Sequence, residues 1–390
     1  MSVGDQTQGS AQVGPNLEVP ASGPGLWERL VDRLDRAAGS AFILPAVLVI
    51  LCLSIFPLVI SLYISLVRLQ FVSSGIQLTF VGLDNYAKLL VGIDHVHFLG
   101  QAAPPSAISW IVVGLVVGTA VVLFARYLRG GRLSPGGLVG RIIVTVGLCT
   151  LAWLAVTTLA PGGRPGTLMV TLVYVFVDIT FQYILGLGLA MLCVQHLPGQ
   201  RFFRVVFLLP MMITPVGVAY LFRMLADTSI GPLYPIWSAL GLSNTSWVEN
   251  AWGARAAVMI GDIWEWTPFI FIVLLAALES QSIEPLEAAV VDGANRWQIF
   301  WEITLPDILP VSTTVVLIRM IEAFKIIDLP NVLTNGGPGT ATESLTLHAY
   351  TIWRALDIGG SAAVAYILLL TSTFCCLAFA NLVRRRFVEG

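Results

Sequence analysis

Long apolar runs alternate with short polar segments through most of this chain. The runs cover about 41–66, 106–125, 140–160, 168–194, 203–224, 255–279, 309–329 and 361–383. Each is close to the roughly 20 residues that carry a helix across a hydrocarbon layer. The pattern predicts an all-α polytopic membrane protein with about eight transmembrane helices. Pro45 and Pro57 in the first run, and Pro210 and Pro215 in the fifth, are compatible with this, because membrane helices tolerate proline. Gly186 and Gly188 predict a close helix contact in the fourth run. Ahead of the first run, Leu26, Trp27, Leu30, Val31 and Leu34 share one face of a segment whose other face is charged, which predicts an interfacial helix. Residues 1–24, rich in Gly, Pro, Ser and Gln, read as a disordered tail.

Composition supports lipid as the solvent. The chain is 56% hydrophobic and 11% charged, against about a quarter charged in soluble domains. A formal net charge of −2 argues against nucleic acid as a partner. The five cysteines, Cys52, Cys149, Cys193, Cys375 and Cys376, all lie in apolar runs and read as small hydrophobes. His95, His97, His196 and His348 fall in loops or near span ends, and no metal set is read from their spacing. With the N-terminus inside, thirteen arginines fall in inner segments and six basic residues, Arg68, Lys88, Arg164, Arg223, Arg255 and Arg354, in outer ones. This asymmetry puts both termini in the cytoplasm.

One inner segment, about 280–308, has a distinctive build. Glu287, Ala288 and Ala289 favour helix. Asp292-Gly293-Ala294 interrupts it, since Gly accepts the positive φ that ends a helix. A second helical run follows from Asn295 to Thr304, carrying Trp297, Phe300 and Trp301, and Leu305-Pro306 is predicted to end it. The result is a helix–bend–helix knob with an apolar, aromatic face, suited to docking in a groove, although an ordinary interhelical loop has the same ingredients. Its spelling resembles the signature loop of permease subunits of binding-protein-dependent ABC importers: E-A-A, three residues, G, nine residues, I, one residue, L-P. Glu287, Ala288, Ala289, Gly293, Ile303, Leu305 and Pro306 stand in those places, and Asp292-Gly293-Ala294 with Pro310 downstream resembles the carbohydrate branch (maltose, trehalose or sn-glycerol 3-phosphate type).

Two further phrases carry the same resemblance. Phe80-Val81-Gly82-Leu83-Asp84-Asn85-Tyr86 is similar to the family's F-x-G-L-x-N-Y after the first helix. Arg319, Glu322, Ala323, Phe324, Lys325 and Asp328, leading to Leu333-Thr334 and Gly336-Gly337-Pro338, resemble its R-x-x-[DE]-A-F-[KR]-x-x-D…L-T-x-G-G-P. The four charges recur every three residues, so they drift along one side of a helix. At this depth they read as functional or as mutually neutralised, Glu322 with Arg319 or Lys325, and Lys325 with Asp328. Trp264 and Trp266 flank Glu265 in the preceding span. They line a sugar path or simply pack helices, and Glu265 faces the bundle interior.

The resemblance implies an ABC type I importer permease with a first helix and outer loop over 41–95, a core over 166–390, and an inserted transmembrane hairpin over 96–165 that the family pattern lacks. It further implies two ATPase subunits binding ATP and Mg, a second and distinct permease, an extracytoplasmic solute-binding protein, and a sugar substrate, in the cell membrane of a prokaryote. The knob residues Glu287, Ala288, Ala289, Asp292, Gly293, Ala294, Leu305 and Pro306 then form the ATPase contact. No cofactor and no catalytic set is expected on this chain: it has no G-x-x-x-x-G-K-[ST], and Gly336-Gly337-Pro338-Gly339 lacks the phosphate-binding lysine. The alternative substrates are glycerol 3-phosphate or a polyol. The alternatives of other classes are an ion-gradient transporter using the four-charge run as a relay, and a membrane enzyme, for which no cluster of reactive groups is seen.

Overall fold

The protein is described here from a computed structural model covering residues 42–72, 75–129, 135–195, 198–242 and 246–388. The tail and interfacial helix predicted over 1–40 lie outside the described residues. Residues 42–60 form one unit and residues from Ser61 onward another. The first unit is the body of an apolar helix, α1 (Phe42–Ser65), with exposed side chains and a π-helical turn at Leu51–Ile55.

In the second unit, the antiparallel ribbon β1 (Val67–Val72) and β2 (Gly75–Phe80) leads into α2 (Asp84–Leu90), α3 (His95–Phe98) and β3 (Gly100–Gln101). Strands were not part of the sequence expectation. Asn85 explains how the phrase 80–86 works. Its buried amide donates to Ser65 O at 2.8 Å and Val67 O at 3.2 Å, stitching the helix end to the ribbon. The long hairpin helices α4 (Ala107–Arg129) and α5 (Pro135–Thr158) follow, then β4 (Arg164–Pro165), which pairs with β3. Leu151, Leu154 and Ala155 of α5 pack against the main core, and Trp110 meets Trp153 at 5.5 Å between the hairpin's two helices.

The centre of the unit is the pair α6 (Thr167–Val194) and α10 (Ala251–Glu279). A Cβ on Gly186 would lie 2.9 Å from Ile270 Cγ2 and 3.0 Å from Phe271 N, so glycine is what lets these helices approach. Gly188, expected to share that role, faces open space. Ile270, Phe271, Leu274 and Ile308 complete this core. Between the pair run α7 (Gln200–Leu208), α8 (Pro215–Ala226) and α9 (Tyr234–Ala239). The single span expected over 203–224 is instead broken by 96° between Gln200–Met212 and Pro215–Ala226. Ile213 and Thr214 are extended there, and Thr214 caps the second helix ahead of Pro215, because proline disfavours a helical predecessor.

After α10 come α11 (Ile283–Val291), α12 (Arg296–Ala323), α13 (Asp328–Thr334), α14 (Leu345–Arg354) and α15 (Ile358–Val388). Two expectations are corrected here. Leu305-Pro306 does not end a helix. A π-helical turn at Phe300–Thr304 lets Leu305 N–H bond Phe300 O, five residues back, so α12 passes through proline unbroken. The membrane helix predicted at 309–329 therefore starts at Arg296 and stops at Ala323, leaving Lys325 and Asp328 beyond its end.

Among the described residues, six helices are long and apolar enough to cross a membrane, or seven if the bent pair counts as one span. The eight expected are not reached, because the fully described apolar stretch of α4 is only Ser109–Thr119.

Bonds between distant loops sort them onto two faces as alternating spans require. On one, β3 pairs with β4, Arg255 Nε donates to Ala341 O at 2.6 Å, and Tyr174 OH donates to Thr342 O at 3.2 Å. On the other, Arg204 pairs with Glu279, and Gln281 Nε2 donates to Asp307 Oδ2 at 2.9 Å.

Candidate coupling knob and buried charge node

The knob is held by its backbone and pinned at its ends. Gly293, at φ 82°, closes α11 with a Schellman pair: Ala294 N–H bonds Ala289 O at 2.9 Å and Gly293 N–H bonds Val290 O at 3.1 Å. No carboxylate is used in the closure, and Asp292 contributes its amide, which bonds Ala288 O at 2.9 Å. The next helix starts with a capping box that went unread in the sequence: Gln298 N–H donates to Asn295 Oδ1 at 2.9 Å, and Asn295 N–H donates to Gln298 Oε1 at 2.8 Å. The N-x-x-Q spelling at 295–298 was the available signal.

At the base, Gln281 Nε2 also donates to Thr304 O at 3.2 Å, tying the two ends together. The middle is open. Glu287, Ala288, Asp292, Gly293 and Pro306 are exposed, while Ala289, Ala294 and Leu305 are half-buried. Val291 is 86% exposed and Trp297 73%. Two such side chains stand on a closed, double-capped bend as an exposed apolar face.

The second site lies inside the bundle. Arg319 of α12 is 1% exposed and is surrounded by groups from two other helices. Its Nε donates to Gln182 Oε1 at 2.9 Å, and its Nη2 pairs with Asp262 Oδ2. Gln182 Nε2 in turn donates to Asp262 Oδ2 at 2.9 Å and to Asp262 O at 3.0 Å. The Arg319 guanidinium also sits 4.7 Å from the Trp266 ring centroid, a cation–π contact. Asp178, one turn before Gln182 on α6, is buried and leaves Oδ1 without a partner, and Glu265 is buried nearby in sequence to Asp262. A charge this deep persists only when paired and hydrogen-bonded, and two other helices supply what Arg319 needs.

This arrangement decides between the pairings read for the four-charge run. Arg319 points inward to Asp262 rather than to Glu322. Glu322 takes its other expected partner, Lys325, at 2.7 Å, with Lys325 exposed and Glu322 half-buried. The run is split by the end of α12 at Ala323, so it forms no continuous relay. The residues that sequence reasoning missed are Asp178, Gln182 and Asp262. Two acids inside apolar runs were a visible signal that an intramembrane arginine had partners elsewhere.

The tryptophans divide as well. Trp266 covers Arg319. Trp264 meets Phe222 edge-on at 5.6 Å and lines an apolar groove of about 800 Å³, with Phe181, Met259, Ile263 and Pro268. The Gly-rich loop is a clasp: Thr342 N–H donates to Gly336 O at 3.0 Å, and Thr342 Oγ1 donates to Gly337 O at 3.0 Å.

Residues 182–389 match the family described as binding-protein-dependent transport system inner membrane component. The chain belongs to this family. The match starts at the glutamine of the charge node and takes in the knob. This ABC importer permease is 34% identical over 211 residues to the trehalose/maltose transport system permease protein MalF of Thermococcus litoralis, covering 53% of this chain and 72% of the relative. It is 30% identical over 216 residues to the probable starch degradation products transport system permease protein AmyD of Thermoanaerobacterium thermosulfurigenes, covering 53% and 70%. Its fold matches a chain of a bacterial ABC transporter that imports the acidic polysaccharide alginate, with a TM-score of 0.62 at 18% identity over 92% of this chain and 99% of that one. The permease is thus a multi-pass membrane subunit of an ABC importer, as its motifs implied, and its family is one of transport components.

Proposed function

We propose that this permease forms, with a second and distinct permease, the path for a sugar across a prokaryotic cell membrane. ATP and Mg bind a pair of ATPase subunits that grip the knob from the cytoplasm, and an extracytoplasmic binding protein delivers the sugar to the opposite face. Both termini are cytoplasmic in this reading, as the distribution of arginine favours. The sugar reading draws on the named relatives and on the aromatic wall of the groove, where Trp264 offers a face to sugar C–H groups.

The observation that carries the coupling role is the knob itself. Its bend is closed by backbone bonds, its base is tied by Gln281, and the side chains of Glu287, Ala288 and Trp297 are exposed. Glu287 supplies a polar contact, Ala288 leaves room for close approach, and Gly293 sets the angle. Closure of the ATPase dimer on nucleotide then moves the knob and switches access to the path.

The test begins with a gentle-detergent pull-down. Copurification of an ATPase and a second permease, with substrate-stimulated ATP hydrolysis that Ala288→Trp removes while the complex still assembles, is the expected result. A chain that purifies alone and moves solute under an ion gradient overturns the reading.

A further inference from the structure

Three side chains that no motif connects meet on the face carrying the Gly-rich loop. Glu343, just before α14, is 6% exposed and bridges two imidazoles. His97 Nε2 of α3 lies 2.7 Å from Glu343 Oε2, and His348 Nδ1 of α14 lies 2.9 Å from Glu343 Oε1. The two rings pack edge to face with centroids 4.4 Å apart. One ligand atom from each residue falls within 4.8 Å of the others.

Hydrogen bonding within the protein leaves one buried nitrogen of this cluster without a partner. His348 is 4% exposed, and its Nε2 has no partner. A buried polar nitrogen left in that state is costly. The cluster thus offers two imidazoles and one carboxyl group.

We propose that His97, Glu343 and His348 form a binding site for a divalent transition metal, with Zn²⁺ the best fit to two nitrogens and one oxygen. Zn²⁺ with bonds of about 2.0–2.1 Å spaces tetrahedral ligand atoms roughly 3.3 Å apart. The present contacts of 2.7 and 2.9 Å run to different oxygens of Glu343, so side chains must shift to bring one oxygen and two nitrogens to that spacing. His97 can supply that movement, because its side chain is 34% exposed while those of Glu343 and His348 are 8% and 5%. The same exposure gives the ion its way in and leaves the fourth position to water. Ligands so far apart in sequence, 246 residues from His97 to Glu343, make the ion a clip between α3 and the loop that the Gly-rich clasp organises. Its role is to fix the surface on which those loops meet.

The full chain, carrying no polyhistidine tag and stripped with a chelator, is titrated with Zn²⁺ by calorimetry and with Co²⁺ by visible absorption. One Zn²⁺ per chain and the d–d bands of tetrahedral Co²⁺ are expected. His97→Ala, at a partly exposed position, should keep the metal-free melting temperature and weaken Zn²⁺ binding on the order of 100-fold. Glu343→Gln should do the same to affinity. Absence of saturable binding, or binding equal in parent and His97→Ala, overturns the site. Neither readout needs transport or ATP, so failure here leaves the importer reading standing, and failure of that reading leaves this one to be judged separately.

Discussion

The knob and the buried node use opposite means to fix a few residues in place. The knob at 283–305 buries almost nothing. Its shape comes from backbone bonds at Gly293, a capping box at Asn295 and a tie at Gln281. The node around Arg319 depends on burial, and on side chains brought from α6 and α10 by packing. One site can lose an exposed side chain outside its caps, such as Glu287 or Trp297, and keep its form. The other loses its reason to fold if a single partner is removed. An exposed bend is thus built from local rules, and a buried charge from global ones.

That contrast can be broken in several places. The largest effect is expected at the node. Arg319→Met leaves Asp262 buried without its cation and should cost on the order of 3–5 kcal/mol, seen as loss of monodisperse protein in detergent. Adding Asp262→Leu should recover much of the loss, and a single variant as stable as the parent would contradict the pairing. Gly293→Ala comes next. Its Cβ meets nothing within 4 Å, so only the left-handed backbone is penalised, by about 1–2 kcal/mol. Gly293→Pro, which cannot adopt φ 82°, should remove coupling while the spans still assemble, read as ATP hydrolysis that no longer responds to substrate. Asn295→Ala removes one cap for about 1 kcal/mol, measurable as a lower melting temperature. Smallest is Lys325→Ala, which breaks a pair whose lysine is exposed, and which should change stability by less than about 1 kcal/mol. A large loss there would revive the relay that the geometry argues against.

Much of the knob was legible in the sequence, because its determinants are neighbours. Glu287 to Pro306 holds the whole device, and helix propensity, Gly and Pro rules apply within a few residues. Even there one rule failed: proline at 306 reads as a stop, and only a π-helical turn, invisible in composition, carries the helix past it. The spans were legible for the same local reason, except where Pro210 and Pro215 together turn one run through 96°. The node was not legible. Arg319 finds Gln182 at 137 residues' separation and Asp262 at 57, whereas spacing along one helix suggested Glu322. Helix periodicity says which residues share a side, and packing alone decides which helix that side meets.

The unbroken course of α12 has a mechanical meaning. Its 28 residues at about 1.5 Å each make a rod of roughly 42 Å, with Trp297 near one end and Arg319 near the other. A single stiff strut thus joins the exposed bend to the arginine that ties three helices together. Pushing on Trp297 is absorbed by flexing the strut at Phe300–Thr304, where its hydrogen bonding is wider, at Pro310, which donates no backbone bond, or by shifting Arg319 against Asp262 and Gln182. Stiffness at those points therefore sets how much of a displacement of Trp297 is carried along the helix to Arg319.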